Sequence, residues 1–493
     1  MGVDLAYIAA WLLPALAGSG VWIALNGGVR RPGAVPAAAG AGWLIGVFIA
    51  AGCARWAAPG DTAHAFAKAW PWLAAVGTLA WIAVLARMRG APVGLHPSAS
   101  LLARQQQGRA LRLLWWVLLV LIVARLLLVG EEASLRPVFP WDAWSAWATK
   151  PKTWFLVGHR EPYVSMLEWL SNPQASLRTA AAWRYPELLA WVQLWFASAA
   201  GAWNEPLVDL AWCGALAAFA LAAYGYWRGL SLPSWISMAL VYALISLPLI
   251  DAHVALAGYA DLWIALTLGL ALLAWTRWLM LRERGQWVIA VGAALCLPLI
   301  KLEGTVWLAL FAAVVVLDLV PRRWRWRAVL AAVALAGLSG FVLVLWDAGP
   351  LHIAWDGIDV AGFGHFALGW HSVGGAMVAS LFTLPNWHLL WYLLPLLVVV
   401  RWRRFREDRC ARLLGLLLLF DFAFVFALFF FTDAGAWAQD YTSANRLILQ
   451  LVPSVFVLAS VLLRRSGDAQ RADETTGADP RTAQARFAPS APA

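Results

Sequence analysis

The sequence predicts an all-α protein, a polytopic transmembrane helical bundle of about 13 spans, and three observations carry that expectation. Of its 493 residues, 62% are hydrophobic and only 13% are charged, whereas a soluble domain carries about 25% charged residues. The apolar residues gather in runs of roughly 20, the length that crosses a hydrocarbon core of about 30 Å. Arginines stand in short clusters between those runs: "RR" at 30–31, "RMRG" from Arg87, "RRWRWR" from Arg322 and "RWRRFREDR" from Arg401. Short basic loops of this kind are expected on the cytoplasmic side. The same distribution separates the net charge of +10 from nucleic-acid binding, so no nucleic-acid partner is expected. The 35 tryptophans suit membrane interfaces and sugar-binding faces alike.

Taken in order, the apolar segments fall at about 5–25, 38–58, 70–86, 111–130, 186–203, 205–227, 234–250, 259–280, 287–300, 303–320, 328–346, 376–400, 413–432 and 446–463. The opening "MGVDLAYIAA" has no basic n-region and no clear cleavage site, and reads as a retained first span. Anchoring the basic clusters in the cytoplasm places the N-terminus outside and the C-terminus inside. Residues 131–184 and 251–261 then both face out, although three apolar stretches separate them. One of the three must fail to span, and 186–203 is expected to be an interfacial or re-entrant helix. Residues 1–110 form N-terminal helices with a basic loop, 111–465 a second transmembrane region, and 466–493 a polar tail expected to be disordered. No internal repeat is evident. Cys53, Cys213, Cys296 and Cys410 show neither metal-type spacing nor a disulfide framework.

Charge and aromatic rings concentrate in the segments assigned to the outer side. In "FPWDAWSAWATKPKTWF" (Phe139 to Phe155), Trp141, Trp144 and Trp147 recur every third residue and would form one slanting stripe on a helix. An amphipathic helix on the outer leaflet would then hold Asp142 and Lys150 at the aqueous rim, with Lys152 nearby. The competing reading is an aromatic-belt helix whose acid is merely solvated. "WRYPELLAWVQLWF" sets Arg184, Tyr185 and Glu187 at a helix mouth, with Pro186 at a first helical position. There Arg184 would hold a phosphate bidentately, or simply snorkel.

In "LPLIDAHVALAGYADLWIAL", Asp251, His253 and Asp261 lie close together near Tyr259, and could share a divalent cation such as Mg or Mn. Asp261 equally suits the first turn of a helix. "CLPLIKLEGTVW" places Lys301 and Glu303 at a break between two spans, where they can pair. "DYTSANRLILQLVP" puts Arg446 at the outer start of the last span. Asp421, deep in "LLLLFDFAFVF", is expected to be a structural, internally paired acid, and Arg125 to pair with Glu131 or Glu132.

The succession of these features resembles the GT-C superfamily of integral membrane glycosyltransferases. That group includes the protein O-mannosyltransferases of glycosyltransferase family 39, the lipid A aminoarabinose transferases and the catalytic subunits of oligosaccharyltransferases. The resemblance runs from about Leu111 to Trp307, with the final span loosely attached, and makes 111–465 a GT-C-like catalytic domain with interfacial helices in its first large periplasmic loop. It implies a polyprenyl-phosphate-linked sugar donor, and transfer at the periplasmic face of the inner membrane to an envelope lipid, glycan or protein.

The first-loop acid of the family maps onto Asp142, the carboxylate that activates or orients the acceptor, and the second acidic site onto Asp261 and Asp251. Substrate or phosphate contacts are expected from Lys150, Lys152, Arg184, Tyr185, Glu187, Tyr259, Lys301, Glu303, Arg446, Trp141 and Trp144. The first loop carries a single acid rather than a pair, and no "WWDYG" motif is present, so N-glycan transfer to asparagine is not expected. Two competitors remain: a transporter or flippase of lipid-linked sugars without transferase activity, and a polymerase or ligase of surface polysaccharide.

Overall fold

The computed structural model describes residues 5–29, 31–89, 108–172, 174, 176–324, 327, 351–353, 357–360 and 364–464. The apolar stretch 328–346 and the polar tail from 466 lie outside them. The first half of the chain forms α1 (Leu5–Asn26), α2 (Ala34–Ala57), α3 (Ala65–Arg89), α4 (Arg109–Leu135), α5 (Thr149–Val157), α6 (Met166–Ser171), α7 (Leu188–Ala199) and α8 (Glu205–Gly229). Next come α9 (Ser234–Ile245), α10 (Pro248–Ala255), α11 (Ala260–Leu281), α12 (Arg284–Ile300) and α13 (Glu303–Leu319). The last group is α14 (Gly374–Val378), α15 (Leu390–Val400), α16 (Trp402–Glu407), α17 (Arg409–Phe431), α18 (Gly435–Gln439) and α19 (Ser443–Leu463). Among the described residues strands are minor: a two-residue parallel pair (Tyr163–Val164 with Arg178–Thr179) and a three-stranded antiparallel patch of Leu351–Ile353, Gly357–Val360 and Gly364–Ala367.

Among the described residues, eight helices are long and apolar enough to cross a membrane: α1, α2, α3, α4, α8, α11, α17 and α19. A ninth is added if α9 and α10, which meet at 62°, are one bent span. The chain is a multi-pass membrane protein. The expected 13 differ from this count for local reasons. α12 and α13, expected as two spans on either side of the break at Lys301, have 17 residues each, about 25 Å of helix against a core of about 30 Å. The stretch 376–400 splits into α14, a π turn and the 11-residue α15. α7 has 12 residues, about 18 Å of helix, too short for a full crossing. That agrees with a non-spanning 186–203. Its setting differs from the expected interfacial one, because Trp191, Val192, Leu194, Trp195 and Phe196 are wholly buried.

Lipid offers no hydrophobic drive between helices, so their contacts depend on close backbone approach and efficient filling. α1 and α2 show the first: a Cβ on Gly46 would stand 1.9 Å from the Pro14 carbonyl oxygen. Tryptophan supplies the second. Trp263 of α11 lies beside Trp43, Phe48 and Trp212, with ring centroids 5.8 to 6.5 Å away. Trp195, Trp212, Trp227, Trp263 and Trp275 are fully buried, so many of the indoles fill the core rather than an interface. α11 and α19 form the buried centre, whereas α4 turns Trp116, Val120, Leu127 and Leu128 outward.

The α1–α2 contact gives a direct test. Gly46→Leu should force the two helices apart and destabilise the protein by about 1–3 kcal/mol, as overpacking does. Thermal unfolding in detergent would read this, and an unchanged midpoint would show that the contact is not tight.

Candidate functional site

Four separate stretches converge at one end of the bundle. The first loop enters through a π turn, Ala143–Trp147, immediately after Asp142. It sits on the α10–α11 connection, where Gly258 has φ +110° and a Cβ would stand 2.6 Å from the Ala143 side chain. Glycine is thus required twice, for the backbone conformation and for the contact. Trp212 of α8 donates its indole N–H to the Tyr259 carbonyl at 2.7 Å, which pins the same connection from below. Asp261 follows in the first turn of α11. The break between α12 and α13 brings Lys301 and Glu303, and the start of α19 brings Arg446.

The side chains form one ionic cluster. Arg446 donates from Nη1 to Asp142 Oδ2 at 2.5 Å and from Nε to Asp261 Oδ2 at 3.0 Å, and its Nη2 lies 2.9 Å from the same Asp261 oxygen. Lys301 Nζ reaches Asp261 Oδ1 at 2.9 Å and Glu303 Oε1 at 2.7 Å. Gln450 Nε2 donates to Asp261 Oδ1 at 2.6 Å, while its own oxygen accepts from Trp307 Nε1 at 2.5 Å. The guanidinium of Arg446 lies over the Tyr259 ring, 4.3 Å from its centroid. Asp261 is fully buried, with both oxygens engaged. Such a carboxylate orients its neighbours and has no oxygen left for a substrate. Asp142 differs. Its side chain is 41% exposed, and Oδ1 takes no hydrogen bond from the described residues. Glu303 Oε2 is likewise without a partner, although buried.

Several expected residues border the cluster. Tyr185 stacks on Trp147, with centroids 4.8 Å apart and planes 17° from parallel. Burial pushes its phenol up, and Glu303, Lys301, Asp261 and Arg446 are near enough to act on it. Trp141 and Trp144 are exposed and pack edge to face at 4.8 Å, whereas Trp147 points inward. The even aromatic stripe is broken because a π turn holds more residues per turn than an α-helix. Arg184 is exposed and lies over Trp183 at 4.5 Å, without a carboxylate partner among the described residues.

Others turn elsewhere. Lys150 is buried, and its ammonium donates to the carbonyls of Trp183 at 2.8 Å and Tyr185 at 2.7 Å. It therefore fastens α5 to the 183–187 segment rather than waiting at an aqueous rim, and burial pushes it down to about 8. Lys152 pairs with Glu205 at 2.7 Å, and Glu187 with Arg160 at 2.7 Å. Asp251 pairs with Arg125, which also donates to the Ser246 carbonyl at the α9–α10 bend. Glu131 and Glu132 are thus not the partners of Arg125; Glu132 bonds Arg136 instead. His253 Nδ1 lies 2.8 Å from the Leu249 carbonyl. Asp251 is thus drawn off to Arg125, whereas His253 lies near enough to Asp261, Arg446 and Lys301 for their charges to act on it; no group of three metal-type side chains occurs among the described residues. Asp421 is buried, and its Oδ2 finds no partner among the described residues, where an internal pairing was expected.

Comparison with family models, curated proteins and solved structures finds no match to this chain. The sequence reading passed over Gln450 and Trp307. Each lies four residues beyond a charged member of the cluster, Arg446 and Glu303, on the same helix. That spacing places them on one face, which is the signal that could have revealed them.

Two measurements follow from the geometry. Asp261→Asn would leave Lys301 and Arg446 buried without their shared counter-charge, and should cost about 3–5 kcal/mol. Unfolding in detergent at matched expression would show it, and a wild-type midpoint would contradict the central place of Asp261. Lys150 binds its proton less tightly folded, at about 8, than at its ordinary value of 10.5. Between those values the unfolded chain holds the extra proton, so stability should rise with pH. The rise should be visible from pH 8 to about 10, where tyrosines begin to ionise, and should vanish in Lys150→Met.

Proposed function

We propose that this chain is a membrane glycosyltransferase that moves a sugar from a polyprenyl-phosphate donor to an envelope lipid, glycan or protein. The observation that supports this best is the pairing of unlike carboxylates at one end of the bundle. Asp261 is buried and saturated, whereas Asp142 is half exposed with one oxygen open, and Arg446 holds both. In the reaction, the acceptor hydroxyl gives its proton to Asp142 Oδ1 while its oxygen attacks the anomeric carbon. The bond from that carbon to the phosphate oxygen breaks, and the polyprenyl phosphate departs with the electron pair. The sugar passes through an oxocarbenium-like state, so a carboxylate beside it and guanidinium groups beside the phosphate act on opposite charges. Arg446 and the exposed Arg184 are the candidates for the phosphate. Trp141 and Trp144 offer indole faces to the sugar or to lipid.

This reading places the cluster at the outer face of the inner membrane, with the N-terminus outside and the C-terminus in the cytoplasm, as the basic loops require. A second reading, a transporter or flippase of lipid-linked sugars, is favoured by Asp421, a buried carboxylate inside a span without a side-chain partner among the described residues.

Asp142→Asn should lower sugar transfer about 10²–10⁴-fold in membranes holding normal protein levels, the usual worth of a positioned general base. Undiminished transfer would sink the assignment. Movement of lipid-linked sugar in reconstituted vesicles, lost in Asp421→Asn and with no glycosyl product, would favour the transporter. Mass spectrometry of envelope glycolipids and glycoproteins from a deletion strain would identify the acceptor by the sugar it loses.

A further inference from the structure

The end of the bundle opposite the ionic cluster carries a cavity with a different chemistry. α13 starts at the cluster with Glu303 and ends near Asp318. α19 starts there with Arg446, and Arg401 Nε donates to the carbonyl of Leu462 in its last turn at 3.1 Å. The start of α17 therefore lies a full helix length from Asp142. Between α13, α16 and α17 is a cavity of about 450 Å³, with Arg409, Arg412 and Asp318 among its lining residues. Arg409 holds Asp318 through Nε and Nη2 at 2.9 and 2.6 Å, so Nη1 keeps both hydrogens for another acceptor. Arg412 is exposed and donates from Nη1 to the carbonyls of Arg406 and Glu407, leaving Nε and Nη2 uncommitted. Among the described lining residues two guanidinium groups stand against one carboxylate, so this mouth is basic.

Beyond the arginines the lining becomes apolar. Leu413, Leu416 and Leu419 follow at three-residue intervals along α17, while Phe405 lies against Gly415, where a Cβ would stand 2.6 Å from its ring. From Arg409 to Leu419 the helix rises about 15 Å, half of a hydrocarbon core of about 30 Å. The cavity is thus basic where headgroups lie and apolar to the depth of one leaflet.

We propose that this cavity binds an anionic phospholipid, with its phosphodiester against Arg409 and Arg412 and one acyl chain along Leu413, Leu416 and Leu419. A basic mouth complements an anionic phosphodiester, and bidentate guanidinium contacts suit its oxygens. Basic pockets between spans are known to take such headgroups. A zwitterionic lipid brings no net charge, and a soluble phosphate leaves the leucine strip uncovered. The proposal is independent of the chemistry assigned to Asp142.

The test uses the full chain purified in detergent, read by native mass spectrometry and thermal unfolding. Phosphatidylglycerol should remain bound and raise the melting midpoint, whereas phosphatidylcholine and glycerol phosphate at equal concentration should not. Arg412→Gln, which leaves the Arg409–Asp318 pair intact, should weaken phosphatidylglycerol binding about tenfold. Leu416→Trp, which fills the strip but keeps both arginines, should do the same. Arg403→Gln, at a side chain 91% exposed, should change nothing. Equal retention of phosphatidylcholine, an equal shift from glycerol phosphate, or unaltered binding in both cavity variants would overturn the proposal.

Discussion

Arg446 divides its guanidinium between Asp142, on a loop, and Asp261, in the first turn of the central helix α11. In a low-dielectric setting neither a charged arginine nor a charged aspartate is tolerable alone, and each becomes acceptable only through good geometry with the other. The consequence reaches beyond the pair. Asp261 passes the constraint to Lys301, Lys301 to Glu303, and Gln450 links the same carboxylate to Trp307. One chain of contacts thereby fixes the relative positions of α11, α19, the α12–α13 break and the first loop. Its product is an arrangement with a single accessible acid.

Much of this could be read in the sequence, for identifiable reasons. Runs of apolar residues bounded by arginines mark spans without knowledge of packing, because lipid demands that every backbone group bond within its own helix. The "KLEG" break, the "GYAD" helix entry and Arg446 were visible because charge is rare in such segments. Partner choice was not visible. Asp251 and Asp261 look equivalent on paper, yet the 62° bend between α9 and α10 turns the first toward Arg125 and leaves the second to Arg446. Lys150 was misplaced for a similar reason, because buried carbonyls of Trp183 and Tyr185 claim it, and the partner of the exposed Lys152, Glu205, lies far along the chain.

The tryptophans show the same limit. Their number suggested interfaces, and Trp141 and Trp144 fit that expectation. Yet α1, α2 and α8 are rich in alanine and glycine, and helices lined by small residues leave gaps that aliphatic side chains of a single helix fill poorly. Large flat rings such as Trp212, Trp263 and Trp275 occupy that space. Composition reports how many indoles exist, and only the packing decides which of them face lipid.

The π turn after Asp142 also acts as a ruler for the length of the chain. Each residue of an α-helix advances the side-chain direction by about 100°, and a π turn is the form a helix takes when it accommodates one residue too many. Here the surplus residue lets Trp147 reach Tyr185 while Ala143 stays seated on Gly258. Removing one residue between Ala143 and Trp147 would restore α-helical phase and keep only one of those two anchors. The segment should therefore accept changes of side chain far more readily than changes of length, so insertions and deletions in related chains should fall outside it.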